Sequence, residues 1–159
     1  MIPQLTALAG SPWDVLPPCV HAATLSEVEA AFAYNERRQE LYTGLIDARV
    51  SLALAGCRSI ILDGSYVSGK PVPGDYDACW DPAGIDFSVL DPVFGDFSND
   101  RAKQKARFKG EFFPSTMIAA DIGGVFVDFI QIDRFTGQQK GILSIPINTD
   151  PVVVRRKKP

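Results

Sequence analysis

The chain has 159 residues, 46% of them hydrophobic and 10% aromatic, which is enough to fill a single core. Its formal net charge of −3 excludes a protein held to nucleic acid by bulk positive charge, although local basic patches are compatible with it. Cys19, Cys57 and Cys79 are widely spaced and have no CxxC or CxxH neighbour, which argues against a disulfide framework or a zinc site and suits a reducing cytoplasm.

Residues 1–22 read as a proline-interrupted arm, because Pro3, Pro12, Pro17 and Pro18 block regular structure. The arm has no basic leader, and no segment approaches about 18 continuous apolar residues, so neither secretion nor membrane spanning is expected. The lone histidine, His21, lies in this arm and reads as a surface residue. From Thr24 the pattern turns helical. Thr24 stands three residues before Glu27, a capping-box signature, and Leu25, Val28, Phe32, Leu41, Leu45 and Val50 follow near helical spacing. The spacing predicts one long helix or two abutting ones over residues 24–56, closed by Gly56.

The segment 58–148 carries the strands. Ile60, Ile61 and Leu62 form a short buried strand that runs into a turn at Gly64, and DYDACW, residues 75–80, forms a second strand beyond the turn-rich GKPVPG. Residues 81–97 are broken by prolines and glycines and read as a long irregular connection. SNDRAKQKARFKGEFF starts at a cap-like Ser98 and reads as a basic helix, in which Lys103, Lys105, Arg107 and Lys109 are either a grip for a polyanion or a solvated face. GGVFVDFIQIDRF alternates and predicts a strand interrupted by Asp128, with Asp133 as a rival acid on its other face. KGILSIPI is read as a last strand, paired with it across Thr136 and Gly137, and residues 150–159 as a frayed basic tail. The expected fold is an α/β or α+β domain, with helices packed on a mixed sheet behind an N-terminal helical segment.

Two aspartates at i and i+2 on a strand point the same way, with Cβ atoms about 6.5 to 7 Å apart, so Asp75 and Asp77 can share a metal cluster. Magnesium takes oxygen ligands and is typically held by one or two carboxylates together with substrate phosphates. Asp128 is the candidate third ligand, because an ionised acid on an apolar strand is costly unless a cation or hydrogen-bond partner meets it. Gly64 lets the backbone approach a phosphate closely, Ser65 adds a hydroxyl, and Lys70 can place a positive charge over a triphosphate.

This conjunction resembles the minimal nucleotidyltransferases of the DNA polymerase β superfamily, whose signature is a Gly-Ser or Gly-Gly turn, a short spacer, Asp-x-Asp or Asp-x-Glu, and a later acid on an apolar strand. Here Gly64 and Ser65 are followed by Tyr66 to Gly74, then Asp75, Tyr76 and Asp77, and Asp128 lies between Val127 and Phe129. The resemblance covers about residues 58 to 132 and looks closest to stand-alone bacterial members, several of which belong to toxin-antitoxin or phage-defence modules. It implies that Gly64, Ser65 and Lys70 contact a nucleoside triphosphate. It also implies that Asp75, Asp77 and Asp128 hold two magnesium or manganese ions, and that a nucleoside monophosphate passes to an acceptor. The chain departs from the pattern at Asp63, which puts an extra charge before the glycine, and it has no following helical domain for base or primer recognition.

The acceptor favoured by the basic segments 101–109 and 154–158 is RNA, such as a tRNA end, with a protein hydroxyl as the alternative. A cognate toxin or antitoxin would be a further partner. A non-catalytic nucleotide-binding or antitoxin module, a glycosyltransferase-type Asp-x-Asp site and a purely structural role are the competing readings. Tyr76 and Trp80 are read either as base-stacking residues or as core, and Glu111 has no role in any of these motifs.

Overall fold

The computed structural model describes residues 1–119 and 124–148, so the basic tail 150–159 lies outside the described residues. The proline-rich arm ends in a short strand, β1 (Val20–Ala22), where no regular structure is expected from the sequence. It is followed by α1 (Leu25–Phe32) and α2 (Glu36–Leu54). Thr24 and Glu27 form the predicted capping box: the Thr24 hydroxyl accepts from the Glu27 N–H at 3.2 Å, and the Glu27 carboxylate accepts from the Thr24 N–H at 2.8 Å. Asn35 caps α2, which is why the helical segment breaks in two. At its far end the Gly56 N–H donates to Ala53 and the Cys57 N–H to Leu52, with Gly56 at φ +99°, a Schellman closure that favours glycine.

Strands β2 (Ser59–Asp63) and β3 (Tyr76–Trp80) follow, then α3 (Ser98–Phe108), β4 (Gly110–Pro114), β5 (Ile118–Ala119), β6 (Gly124–Val125), α4 (Phe126–Phe129) and β7 (Ile142–Pro146). The main sheet has the order β1-β7-β2-β3-β4 and is mixed: β1 runs parallel to β7 and β4 parallel to β3, while β2 is antiparallel to both its neighbours. The class is therefore mixed α+β, as expected. Among the described residues no helix is long and apolar enough to cross a membrane.

Two strand assignments differ from the sequence reading. Residues 110–114, read there as the end of a helix, form β4, because the αL residue Lys109 at φ 64° ends α3 one residue earlier. The expected strand around Asp128 is instead a short strand, β6, that turns into α4. The run VFVDFI is apolar at both periods, and the packing of Phe126 on Phe129 and the burial of Ile130 select the helical one. β7 consequently pairs with β2 and β1, and the turn at Gly137 is closed by an isolated bridge, Ile132 to Gln139, and local hydrogen bonds instead of a strand pairing with β7.

Alternation along the strands divides the sheet into two faces. Leu62, Tyr76, Ala78, Trp80, Phe112 and Leu143 look toward α1 and α2 and form the main core with Phe32, Leu41, Leu45 and Leu52. Tyr76 and Trp80 are thus core residues, and the Tyr76 hydroxyl donates to the Phe108 carbonyl at 2.7 Å. Gly110 is required beside this ring, since a Cβ there would meet the Tyr76 ring at 2.4 Å. The opposite face carries Asp63, Asp77, Cys79, Glu111 and Phe113, with a smaller apolar cluster of Cys79, Phe113, Ile130 and Ile142.

The start of α2 fixes the connection between β2 and β3. The fully buried Arg38 guanidinium donates to the carbonyls of Phe32, Tyr66, Ser68 and Lys70. Arg37 donates to Pro73 and Gly74, and the Asn35 amide to Pro71 at 2.8 Å. A long loop is thereby tied to a helix by its backbone, whatever its side chains do. Arg38→Met would strand these carbonyls in the interior, and we expect it to lower unfolding free energy by about 2–4 kcal/mol. Urea denaturation checks this, and a loss below about 0.5 kcal/mol would contradict the tethering role.

Candidate functional site

The register of the sheet aligns Asp63 with Asp77 across β2 and β3, and Asp77 with Glu111 across β3 and β4. Three acids therefore stand at one level on one face, and Asp75, two residues before Asp77, joins them from the loop. Oxygens of Asp75, Asp77 and Glu111 lie within 4.8 Å of one another. These acids line a cavity of about 600 Å³ together with Gly64, Ser65 and Lys70, so five of the six residues read from the sequence as site residues share it with each other.

Asp128 does not join them. It is exposed on α4 and borders a separate, smaller cavity with Cys19, Gln131 and Lys140. An acid needs a cation on an apolar strand, whereas on the helical turn of α4 the Asp128 carboxylate is exposed to solvent. Asp133, the rival, does line the main cavity, but its carboxylate accepts from the Thr136 N–H at 2.9 Å and closes the turn. Glu111 occupies the third position. Its sequence signal is the acid in G-E-F-F-P, an apolar strand-length run that follows the helix.

Gly64 is the hinge of the site. It takes φ +90° and ψ −175°, a region nearly confined to glycine, and a Cβ there would meet the Asp77 amide nitrogen at 3.0 Å. Ser65 then opens a 3-10 turn, Ser65–Val67, at the mouth of the cavity.

Like charges at one level of adjacent strands repel, and the fold answers with cations at both ends of the row. Lys140 pairs with the buried Asp63, which accounts for the unusual acid before the glycine. Arg101 and Lys105 of α3 pair with Glu111 at 3.3 and 3.0 Å. Asn99, Asp100 and Arg101 all take left-handed conformations, φ 50°, 56° and 59°, which is uncommon for arginine; Arg101 lines the cavity and its guanidinium sits 5.2 Å from the Phe113 ring centre. Asp77 stands in the middle. Burial first, then the charges of Asp75, Asp63 and Glu111, push its carboxyl up to about 8. Burial and Glu111 also raise Asp75.

The expected basic grip of α3 is largely spent internally. Lys103 pairs with Asp96 at 3.3 Å, Lys105 with Asp100 and Glu111, and Arg107 with Asp91.

A carboxylate whose folded pKa is raised binds more protons in the native state than in the unfolded chain. Stability therefore falls as pH rises from about 4, the unfolded value, and the loss is complete above about pH 8. Asp77→Asn should accordingly melt above the wild type, with a gap that opens through this window and then levels. Thermal melts in chelator at pH 5, 7 and 9 check this; a variant that melts lower at every pH would contradict the repulsion.

No curated protein and no solved structure matches this sequence. Over residues 11–146, which include every acid of the cluster, the chain matches DUF6932, a family of unknown function, and it belongs to that family.

Proposed function

We propose that the protein is a divalent-metal-dependent nucleotidyltransferase, which moves a nucleoside monophosphate from a nucleoside triphosphate to an acceptor hydroxyl. The observation that carries this reading is the meeting of Asp75, Asp77 and Glu111 in one cavity with the Gly64–Ser65 turn. The donor set suits magnesium or manganese: all its atoms are carboxylate oxygens, they lie close enough to share ions, and their mutual repulsion is uncompensated at Asp77. Asp75, Asp77 and Glu111 would hold such ions, which supply charge neutralisation for the phosphates and activation of the attacking oxygen.

The chain's own groups do the positioning. Gly64, lacking a side chain, lets the turn backbone approach phosphate oxygens, and the Ser65 hydroxyl and Lys70 add polar contacts at the same wall. Arg101, which pairs with Glu111 and lines the cavity, would add positive charge for the phosphates there. In the transfer, the acceptor oxygen bonds to the α-phosphorus, the α–β bridging bond breaks and pyrophosphate leaves. The hydroxyl proton passes to a carboxylate oxygen of the cluster.

RNA, such as a tRNA end, and a protein hydroxyl are both acceptors the chemistry allows; the paired charges of α3 remove one argument for RNA. A role in a toxin-antitoxin or phage-defence module is compatible with this activity, and the free cysteines fit a cytoplasmic setting.

Incubation with each labelled nucleoside triphosphate, magnesium and cell extract tests the proposal, and nuclease or protease sensitivity of the label identifies the acceptor. We expect Glu111→Gln to reduce labelling by at least about 100-fold, and Asp128→Asn to retain it. No label from the wild type with any of the nucleotides, or equal loss in both variants, would contradict the assignment.

A further inference from the structure

Beyond the acids, the same cavity has an aromatic wall. Phe113 lies two residues from Glu111 on the same face of β4, and its ring is 4.5 Å from that of Phe126, which in turn is 5.9 Å from Phe129. Phe113 and Phe126 are packed into the smaller core, but Phe129 and Phe135 are 46% and 51% exposed while lining the cavity. Arg134, also in the lining, sits with its guanidinium 4.9 Å from the Phe135 ring centre. Half-exposed aromatic rings in a cavity wall offer apolar faces on which a flat group can stack.

We propose that Phe129 and Phe135 form the stacking platform for the base of the bound nucleotide. The inference rests on the nucleotidyltransferase reading and adds to it the part of the site that faces the base. A triphosphate anchored at Gly64, Ser65 and the carboxylates leaves its heterocycle to be housed within the same cavity, and the aromatic wall adjoins the carboxylates directly through Phe113. Stacking on aromatic faces tolerates any base, because every base has a π-face, and it strengthens with ring area. The platform therefore favours purine over pyrimidine nucleotides without distinguishing adenine from guanine.

The test compares two probes, magnesium tripolyphosphate and magnesium with a non-hydrolysable ATP analogue, by calorimetry on the wild type, Phe129→Ala/Phe135→Ala and Phe129→Trp/Phe135→Tyr. Neither residue belongs to a buried cluster, and because Phe129 also packs on Phe126, tripolyphosphate binding reports whether the site survives the truncation. We expect the alanine variant to lose about tenfold or more in affinity for the analogue while binding tripolyphosphate like the wild type. The aromatic variant should restore analogue binding. If the wild type binds both probes and the alanine variant binds the analogue unchanged, or loses both equally, the platform is refuted and the phosphate site stands. If the wild type binds neither probe, the nucleotidyltransferase reading falls and takes the platform with it.

Discussion

The structure turns on a row of carboxylates laid across three neighbouring strands. Asp63, Asp77 and Glu111 occupy matching positions on β2, β3 and β4, so their separation is set by sheet geometry and not by side-chain choice. Adjacent strands lie about 4.8 Å apart, a distance at which like charges on one face destabilise the sheet. A protein selected for stability alone would not keep this arrangement. The cations at either end, Lys140 on Asp63 and Arg101 with Lys105 on Glu111, relieve the ends of the row and leave Asp77 in the middle with the strongest demand for positive charge.

The other face of the sheet makes that arrangement tolerable. Alternation sends Leu62, Ala78 and Phe112 to the opposite side from Asp63, Asp77 and Glu111, where α1 and α2 cover them in the main core. The same helix α2 that packs this core reaches round with Asn35, Arg37 and Arg38 to hold the backbone between Tyr66 and Gly74. Burial on one face thus stabilises the sheet against repulsion on the other, and the loop carrying Ser65 and Asp75 is placed by hydrogen bonds to a rigid helix.

What could be read from the sequence follows the range of the interactions involved. Thr24 with Glu27, and Gly56, are local patterns with their expected local geometry, and Asp75 and Asp77 meet as expected although Asp75 lies in the loop just before β3 and not on the strand. The proximity of Gly64 and Ser65 to the two aspartates was also legible, because a turn-rich loop between antiparallel strands must bring its ends together. Glu111 is legible only as an acid in a strand-length apolar run, since its place beside Asp77 depends on a parallel pairing between β3 and β4 that no local pattern encodes. Asp128 was misplaced for a related reason: an apolar run satisfies both the strand and the helix period, and the choice was made by Phe113 and the buried Ile130. The charge run of α3 was legible as charge, but its pairing with Asp91, Asp96, Asp100 and Glu111 is a tertiary fact.

The central claim is that Asp75, Asp77 and Glu111 together form a divalent-cation centre. Crystals of the protein soaked in manganese chloride, with anomalous difference maps recorded at the manganese edge, test it most directly. The expected result is manganese density within coordination distance of oxygens of all three carboxylates, with Glu111 drawn away from Arg101. Manganese found at Asp128 instead, or a fully soaked crystal with no density among the three acids and Glu111 still held by Arg101 and Lys105, would contradict it.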